Sequence, residues 1–310
     1  MLILYIILAV ILLYIIFVAA PAVVFYRSTY GRRTICAPDD PQLKKPVIEA
    51  FLPRIREEYA YLMRQEHERV SITTPDGVEL CADYYERGSN KTALMVHGYN
   101  ADPYVNLSAQ ARWFYDNGYN LLVIYHRGHG PSGGKRCGMG LLEWNDVLLW
   151  ADHLSGKFPE RHILLYGISM GGTTVGYLSD KIENKAVRCA VIDCGYLSPY
   201  GQMQREAKRF HMPFSLLIPY IRALAKKELG VDIREKTTEH LKNARFPILF
   251  IHGAADPTVP LSQGEENYEV CSSDKEMVVV EGAEHVTSFL VDEEKVAAAY
   301  RGFIEPRMQG

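Results

Sequence analysis

His162-Ile163-Leu164-Leu165-Tyr166-Gly167-Ile168-Ser169-Met170-Gly171-Gly172-Thr173-Thr174-Val175-Gly176-Tyr177-Leu178 is the stretch whose reading decides the fold. An apolar run, a cramped turn and a helix start follow one another, with Ser169 at the bend. A serine in such an elbow is forced into a strained backbone conformation, and only small neighbours let strand and helix pass so closely. In return its hydroxyl stands clear above the sheet, near the positive end of the new helix. The stretch therefore predicts a serine nucleophile. The same G-x-S-x-G spacing recurs at Gly130-Pro131-Ser132-Gly133-Gly134, but no apolar strand feeds that serine and no helix starts behind it. Its proline and glycines read as an extended loop, so the motif is assigned to Ser169 rather than Ser132.

Outward from the elbow, strand-like and helix-like segments alternate. Residues 70–74 and 78–85 are strand-like, and Asp76-Gly77 between them signals a hairpin. Dense apolar runs follow at 92–96, 120–125, 162–166, 187–192, 247–251 and 277–280. Continuous rather than alternating apolarity predicts strands covered on both faces, as in a mostly parallel sheet. Helical patterns at 107–117, 141–154, 262–271 and 292–304 separate them. This order predicts an α/β fold: an open, doubly wound sheet with its reactive residues on loops at the carboxyl ends of strands. One interval breaks the rhythm. About fifty residues near 196–245 contain no clear strand, far beyond an ordinary connection. Rich in Met, Phe, Leu and Ile interleaved with Lys and Arg, they predict a small helical cap over the active edge.

A serine hydroxyl needs a base to take its proton, and the base needs an orienting carboxylate. In elbow architectures these follow in the order serine, acid, histidine. Asp256 falls on the loop after the run at 247–251, and His285 shortly after the last run, before the final helix. Asp193, at the end of the 187–192 run, is the alternative acid; slot and chain order favour Asp256. His252 reads as a packing or hydrogen-bonding residue, and His126 and His129 as architecture near the site. The developing oxyanion also needs donors. The backbone N–H of Met170 at the helix start is one, and that of Tyr99, in the His97-Gly98-Tyr99-Asn100 loop, is the other.

Together, His97-Gly98-Tyr99, the loop Arg127-Gly128-His129-Gly130-Pro131-Ser132, the Ser169 elbow, His252-Gly253 with Asp256, and His285 resemble the α/β-hydrolase superfamily. The likeness covers about residues 70–305 and is strongest to the cap-bearing branch of bacterial esterases, lipases and S33-type peptidases. It implies a Ser169/Asp256/His285 triad, with Tyr99 and Met170 as oxyanion donors and no metal or organic cofactor. A serine hydrolase acting on carboxylic esters is the expected function. A peptidase, thioesterase or acyltransferase of the same fold is the alternative within that class, and a non-catalytic ligand-binding protein is the alternative outside it.

The whole chain sets the remaining bounds. Its 310 residues carry a formal net charge of -3 and are 48% hydrophobic. Without a Lys/Arg tract there is no footprint for nucleic acid. Six cysteines are scattered without C-x-x-C spacing, which argues against a metal site or a disulfide scaffold. Residues 1–26 carry no charged side chain, and as a helix they would rise about 39 Å, enough to cross a hydrocarbon core of roughly 30 Å. A transmembrane anchor is therefore expected. A signal peptide cleaved near Ala20-Pro21-Ala22 is the alternative, disfavoured because no Lys or Arg precedes the stretch. Arg27, Arg32, Arg33, Lys44 and Lys45 flank only the downstream side, which leans the domain toward the cytoplasm. The expected organisation is an anchor at 1–26, a linker and charged helix at 27–66 that join anchor to domain, and an α/β-hydrolase domain at 67–310. The expected partners are a small-molecule or lipid-like ester and the membrane.

Overall fold

The computed structural model describes residues 1–41, 43 and 46–309, the side chain of Ile11 apart. Lys44 and Lys45, two of the positive residues flanking the N-terminal apolar stretch, lie outside the described residues. Among the described residues there are eight strands: β1 (Glu68–Thr73), β2 (Glu79–Tyr85), β3 (Lys91–Val96), β4 (Asn120–Ile124), β5 (His162–Ile168), β6 (Val187–Asp193), β7 (Ile248–Gly253) and β8 (Lys275–Val280). They form one sheet in the order β1-β2-β4-β3-β5-β6-β7-β8. The pairs β1/β2 and β2/β4 are antiparallel, and every other neighbouring pair is parallel. The hairpin falls where Asp76-Gly77 predicts it, closed by the Gly77 N–H donating to the Thr74 carbonyl at 2.9 Å.

The continuous apolar runs have the physical cause expected of them. Along β3, Ala93 and Met95 enter one core while Leu94 and Val96 enter the other. Along β5, Leu164, Tyr166 and Ile168 face the first, and Ile163 and Leu165 the second. A strand with helices over both faces has no solvent side, so the period-two alternation disappears from its sequence. The order also places a topological switch point at β3. The chain passes from β3 to β4 on one side and returns to β5 on the other, which opens a crevice at the carboxyl ends of β3 and β5.

The 196–245 interval forms the helices Pro199–Arg209, Phe214–Glu228 and Thr237–Leu241. The first two build a third apolar cluster with the N-terminal segment, while Leu241 of the last joins a core under the sheet. The N-terminal segment is one helix from Leu2 to Tyr30, ending four residues beyond the expected span, and it is the one helix among the described residues long and apolar enough to cross a membrane. Its large side chains up to Phe17, Ile11 apart, are exposed, but its last turns are not. Ala22, Tyr26 and Tyr30 are at most 1% exposed and pack with Met203, Leu217 and Ile221. Spaced four apart, they make one stripe along the helix. Burying a large apolar side chain is worth on the order of 1.5–3 kcal/mol, so the stripe fastens this end of the helix to the body. Further along, Leu52–Met63 is a helix packed on the helix Pro103–Asp116.

Candidate active site

Ser169 lies between the end of β5 and the helix Met170–Leu178, with φ 54 and ψ -116. For a residue bearing a Cβ this backbone costs about 1–3 kcal/mol, and it persists only where its surroundings enforce it. Here they do. A Cβ on Gly167 would fall within 3.0 Å of the Gly171 backbone, and a Cβ on Gly171 within 3.0 Å of the Val96 carbonyl. The crossing therefore admits no side chain at either position.

Three residues far apart in sequence meet at this bend. The Ser169 Oγ lies 2.8 Å from His285 Nε2, and His285 Nδ1 lies 2.7 Å from Asp256 Oδ2. The other Asp256 oxygen accepts the backbone N–H groups of Thr258 and Val259, each at 2.8 Å. A carboxylate so engaged holds Nδ1 as the donor, which leaves the Nε2 lone pair to accept the serine proton. The Asp256 side chain is fully buried and that of His285 is 13% exposed, so the acid is dry while the base reaches the cavity. Behind Asp256, His252 donates from Nε2 to the Val259 carbonyl at 2.8 Å and so buttresses the same loop. Cys194 Sγ comes within 4.8 Å of ligand atoms of Asp256 and His285. The facing oxygen and ring nitrogen of that pair are already hydrogen-bonded to each other, so the group reads as part of the proton chain.

The alternative acid is placed elsewhere. Asp193 Oδ2 accepts from the Tyr166 hydroxyl at 3.1 Å, and Oδ1 has no partner among the described residues. Burial pushes its carboxyl up to about 7, against the Tyr166 hydrogen bond and the nearby His285, which both pull it down. A folded pKa above the unfolded one means stability that is full below about pH 4 and is lost as pH rises through about 7. Asp193→Asn removes that dependence. Thermal unfolding of the variant should therefore fall less steeply than wild type between about pH 5 and 8, with most turnover retained. A variant that kept the wild-type slope would show the group to be ionised throughout.

Ser132 has a different occupation. It is fully buried, donates to the Tyr125 carbonyl at 2.6 Å and accepts the Cys81 N–H at 2.9 Å. It thus knits the 127–134 loop to β2. Ser132→Ala leaves both partners unpaired, at about 1–3 kcal/mol. The expected result is a lower unfolding midpoint with most activity intact; loss of activity in a folded Ser132→Ala protein would transfer the motif from Ser169 to Ser132.

On the opposite side of Ser169, the Tyr99 loop is held by groups on several elements. Asn106 Oδ1 accepts the Gly98 N–H at 3.2 Å, and His129 Nε2 accepts the Asn100 N–H at 3.2 Å. Burial drives the His97 and His129 imidazoles down, His129 to about 4, so both stay neutral and serve as hydrogen-bonding struts. Neither the Tyr99 nor the Met170 backbone N–H is paired with an acceptor among the described residues. The Tyr99 side chain turns the other way. Its hydroxyl donates to the Thr29 carbonyl at 2.7 Å, and its ring carries the Arg33 guanidinium at 4.5 Å. Asn106 and Thr29 escaped sequence reasoning. Asn106 carries a faint signal, a polar side chain in the first turn of the helix behind the loop; Thr29 acts through a backbone carbonyl and carries none.

A cavity of about 370 Å³ opens at Ser169 and His285, walled by the cap residues Met203 and Phe210 and by Phe25, Ser28 and Thr29 of the N-terminal helix. A second, of about 130 Å³, reaches the same pair beside Gly98 and is walled by Val47, Ile48, Ala101, Val105 and Val286.

Residues 88–229 match the family model for the serine aminopeptidase, S33 group. The uncharacterized protein YqkD of Bacillus subtilis is 27% identical over 201 residues, 64% of this chain and 66% of that protein. The lysophosphatidylserine lipase ABHD12 of Danio rerio is 24% identical over 165 residues, 52% of this chain and 41% of that protein. Among solved structures, the Pyrococcus furiosus esterase Pf2001 superposes with a TM-score of 0.67 at 23% identity, covering 90% of this chain and all of the esterase. The chain has the α/β-hydrolase fold, and these likenesses together support its place in that superfamily.

Proposed function

We propose that the chain is a membrane-tethered serine hydrolase that cleaves carboxylic esters through an acyl-enzyme. The observation that carries this reading is the hydrogen-bonded series Ser169–His285–Asp256 at the mouth of a cavity walled by Phe25, Met139, Met203 and Phe210 together with Gln202 and Glu206. His285 takes the Ser169 proton as Oγ attacks the ester carbonyl, and Asp256 stabilises the imidazolium that forms. The N–H groups of Tyr99 and Met170 receive the developing oxyanion. His285 then protonates the leaving alcohol, activates water for deacylation and returns the proton to Ser169. These side chains suffice for the reaction without a metal or organic cofactor.

The names borne by the relatives divide the reaction class. An esterase and a lysophospholipid lipase favour an ester, whereas the S33 family name favours a peptide amide. The Phe25, Met139, Met203 and Phe210 wall of the cavity, beside a helix of membrane-spanning length, tips the reading toward lipid-like esters. In the same reading residues 1–26 form the anchor, 27–66 lead into the body, and 67–310 make the hydrolase domain with its cap at about 196–245. The length of this helix, Leu2–Tyr30, favours retention over removal as a signal peptide, and the flanking positive charges lean the domain toward the cytoplasm. A fluorophosphonate probe tests the chemistry. Prompt labelling that disappears in Ser169→Ala supports a serine hydrolase, while a folded protein that never labels is a binding protein. Turnover across matched ester, thioester and aminoacyl-amide substrates then separates esterase from its rivals.

A further inference from the structure

Ser169 stands where two cavities meet. This follows from the geometry around one atom: the carbonyl carbon attacked by Oγ carries an acyl chain and an alkoxy group, and the two must leave it in different directions. The cavities provide two directions of unequal capacity. At about 370 Å³ against about 130 Å³, one is nearly three times the other. The smaller holds the volume of about four waters, enough for a substituent of a few carbons.

Part of the wall of each cavity comes from the chain ahead of the sheet. Phe25, Ser28 and Thr29, in the last turns of the N-terminal helix, line the larger cavity, and Val47 and Ile48 line the smaller. They are held in place. Tyr26 and Tyr30 lie buried on either side of Ser28 and Thr29, the Tyr99 hydroxyl grips the Thr29 carbonyl, and Ile48 is 2% exposed. We infer that Phe25, Ser28 and Thr29 at the end of the N-terminal helix, together with Val47 and Ile48, complete the substrate site. They select esters with one long apolar arm, laid along the end of the N-terminal helix and the cap, and one short arm held against Val47. This rests on Ser169 being the nucleophile.

The test uses the full chain in lipid nanodiscs and two substitutions that fill one arm each. Ser28 is exposed and Val47 half-buried, so both accept larger side chains without disturbing a core. Substrates are two ester series, one lengthening the acyl group at constant alcohol and one lengthening the alcohol at constant acyl group. Ser28→Phe should lower kcat/KM about tenfold or more for the longest members of one series, and Val47→Phe should do the same to the other, with the shortest esters nearly unaffected. The series that responds to Ser28→Phe identifies the long arm as acyl or alcohol. If phenylalanine lowers the unfolding midpoint, leucine at the same positions gives a milder version of the same test. Variants that fold, label with fluorophosphonate at the wild-type rate and keep wild-type chain-length profiles overturn the assignment, as does a single variant that depresses both series equally. A wild-type protein that neither labels nor turns over any ester defeats the hydrolase reading itself, a separate outcome.

Discussion

Ser169→Ala will lower turnover of every accepted ester by about 10⁴–10⁶-fold and leave the protein folded. The size of the loss follows from the geometry. Removing the hydroxyl that lies 2.8 Å from His285 Nε2 leaves catalysis to the oxyanion donors and binding alone. The three residues act as one device, so adding His285→Ala to Ser169→Ala should cost little more. Asp256→Asn should cost about 10⁴-fold by offering Nδ1 the wrong partner and tautomer. Stability should move separately from activity. Alanine keeps the Cβ and with it the strain of φ 54, whereas glycine removes it. Ser169→Gly should therefore be equally inactive yet unfold at a higher temperature than Ser169→Ala. Kinetics on an ester series and thermal unfolding of the three proteins check both halves. Turnover near wild type in a folded Ser169→Ala protein would remove the nucleophile from the mechanism.

The parts of this site that were legible in the sequence are those fixed by local backbone demands. The elbow glycines are required by the crossing they make, and β3 and β5 announce themselves because both of their faces are covered. Asp256 and His285 could be placed by chain order, and ranking Asp256 above Asp193 rested on slot and chain order. The structure brings Asp256 to His285 and turns Asp193 toward Tyr166. The cavity walls were not legible. Phe25 and Val47 lie in a helix and a turn whose composition suits an anchor and a linker equally well, and they meet Ser169 across more than a hundred residues of chain. Thr29 holds Tyr99 through a carbonyl, which every residue type possesses. Contacts of this kind arise from how elements dock, and side-chain identity records only their size and polarity.

Gly171→Ala is expected to be the most damaging single methyl group in the domain. The added Cβ would overlap the carbonyl of Val96, with the His97 carbonyl also inside 3.0 Å. Neither obstacle is the flexible end of a side chain. Val96 is the last residue of β3 and is held in register against Gly167 of β5, so its carbonyl cannot turn aside without breaking the pairing next to the elbow. The helix Met170–Leu178 must retreat instead, and it carries the Met170 N–H with it. A cost of about 4 kcal/mol or more follows for an overlap that only backbone movement relieves, a large share of a typical net stability of about 5–15 kcal/mol. Any protein that still folds should label slowly with fluorophosphonate, because the same shift displaces Ser169 from His285. Gly156 supplies the control. It lies in the helix Glu143–Lys157, and a Cβ there meets nothing within 4 Å. Gly156→Ala should stabilise by up to about 1 kcal/mol through helix propensity and leave labelling unchanged. Denaturant midpoints for the two variants should therefore move in opposite directions from wild type. Equal stability of Gly171→Ala and wild type would mean that strand and helix have room to spare at the elbow, and that the strain at Ser169 has another source.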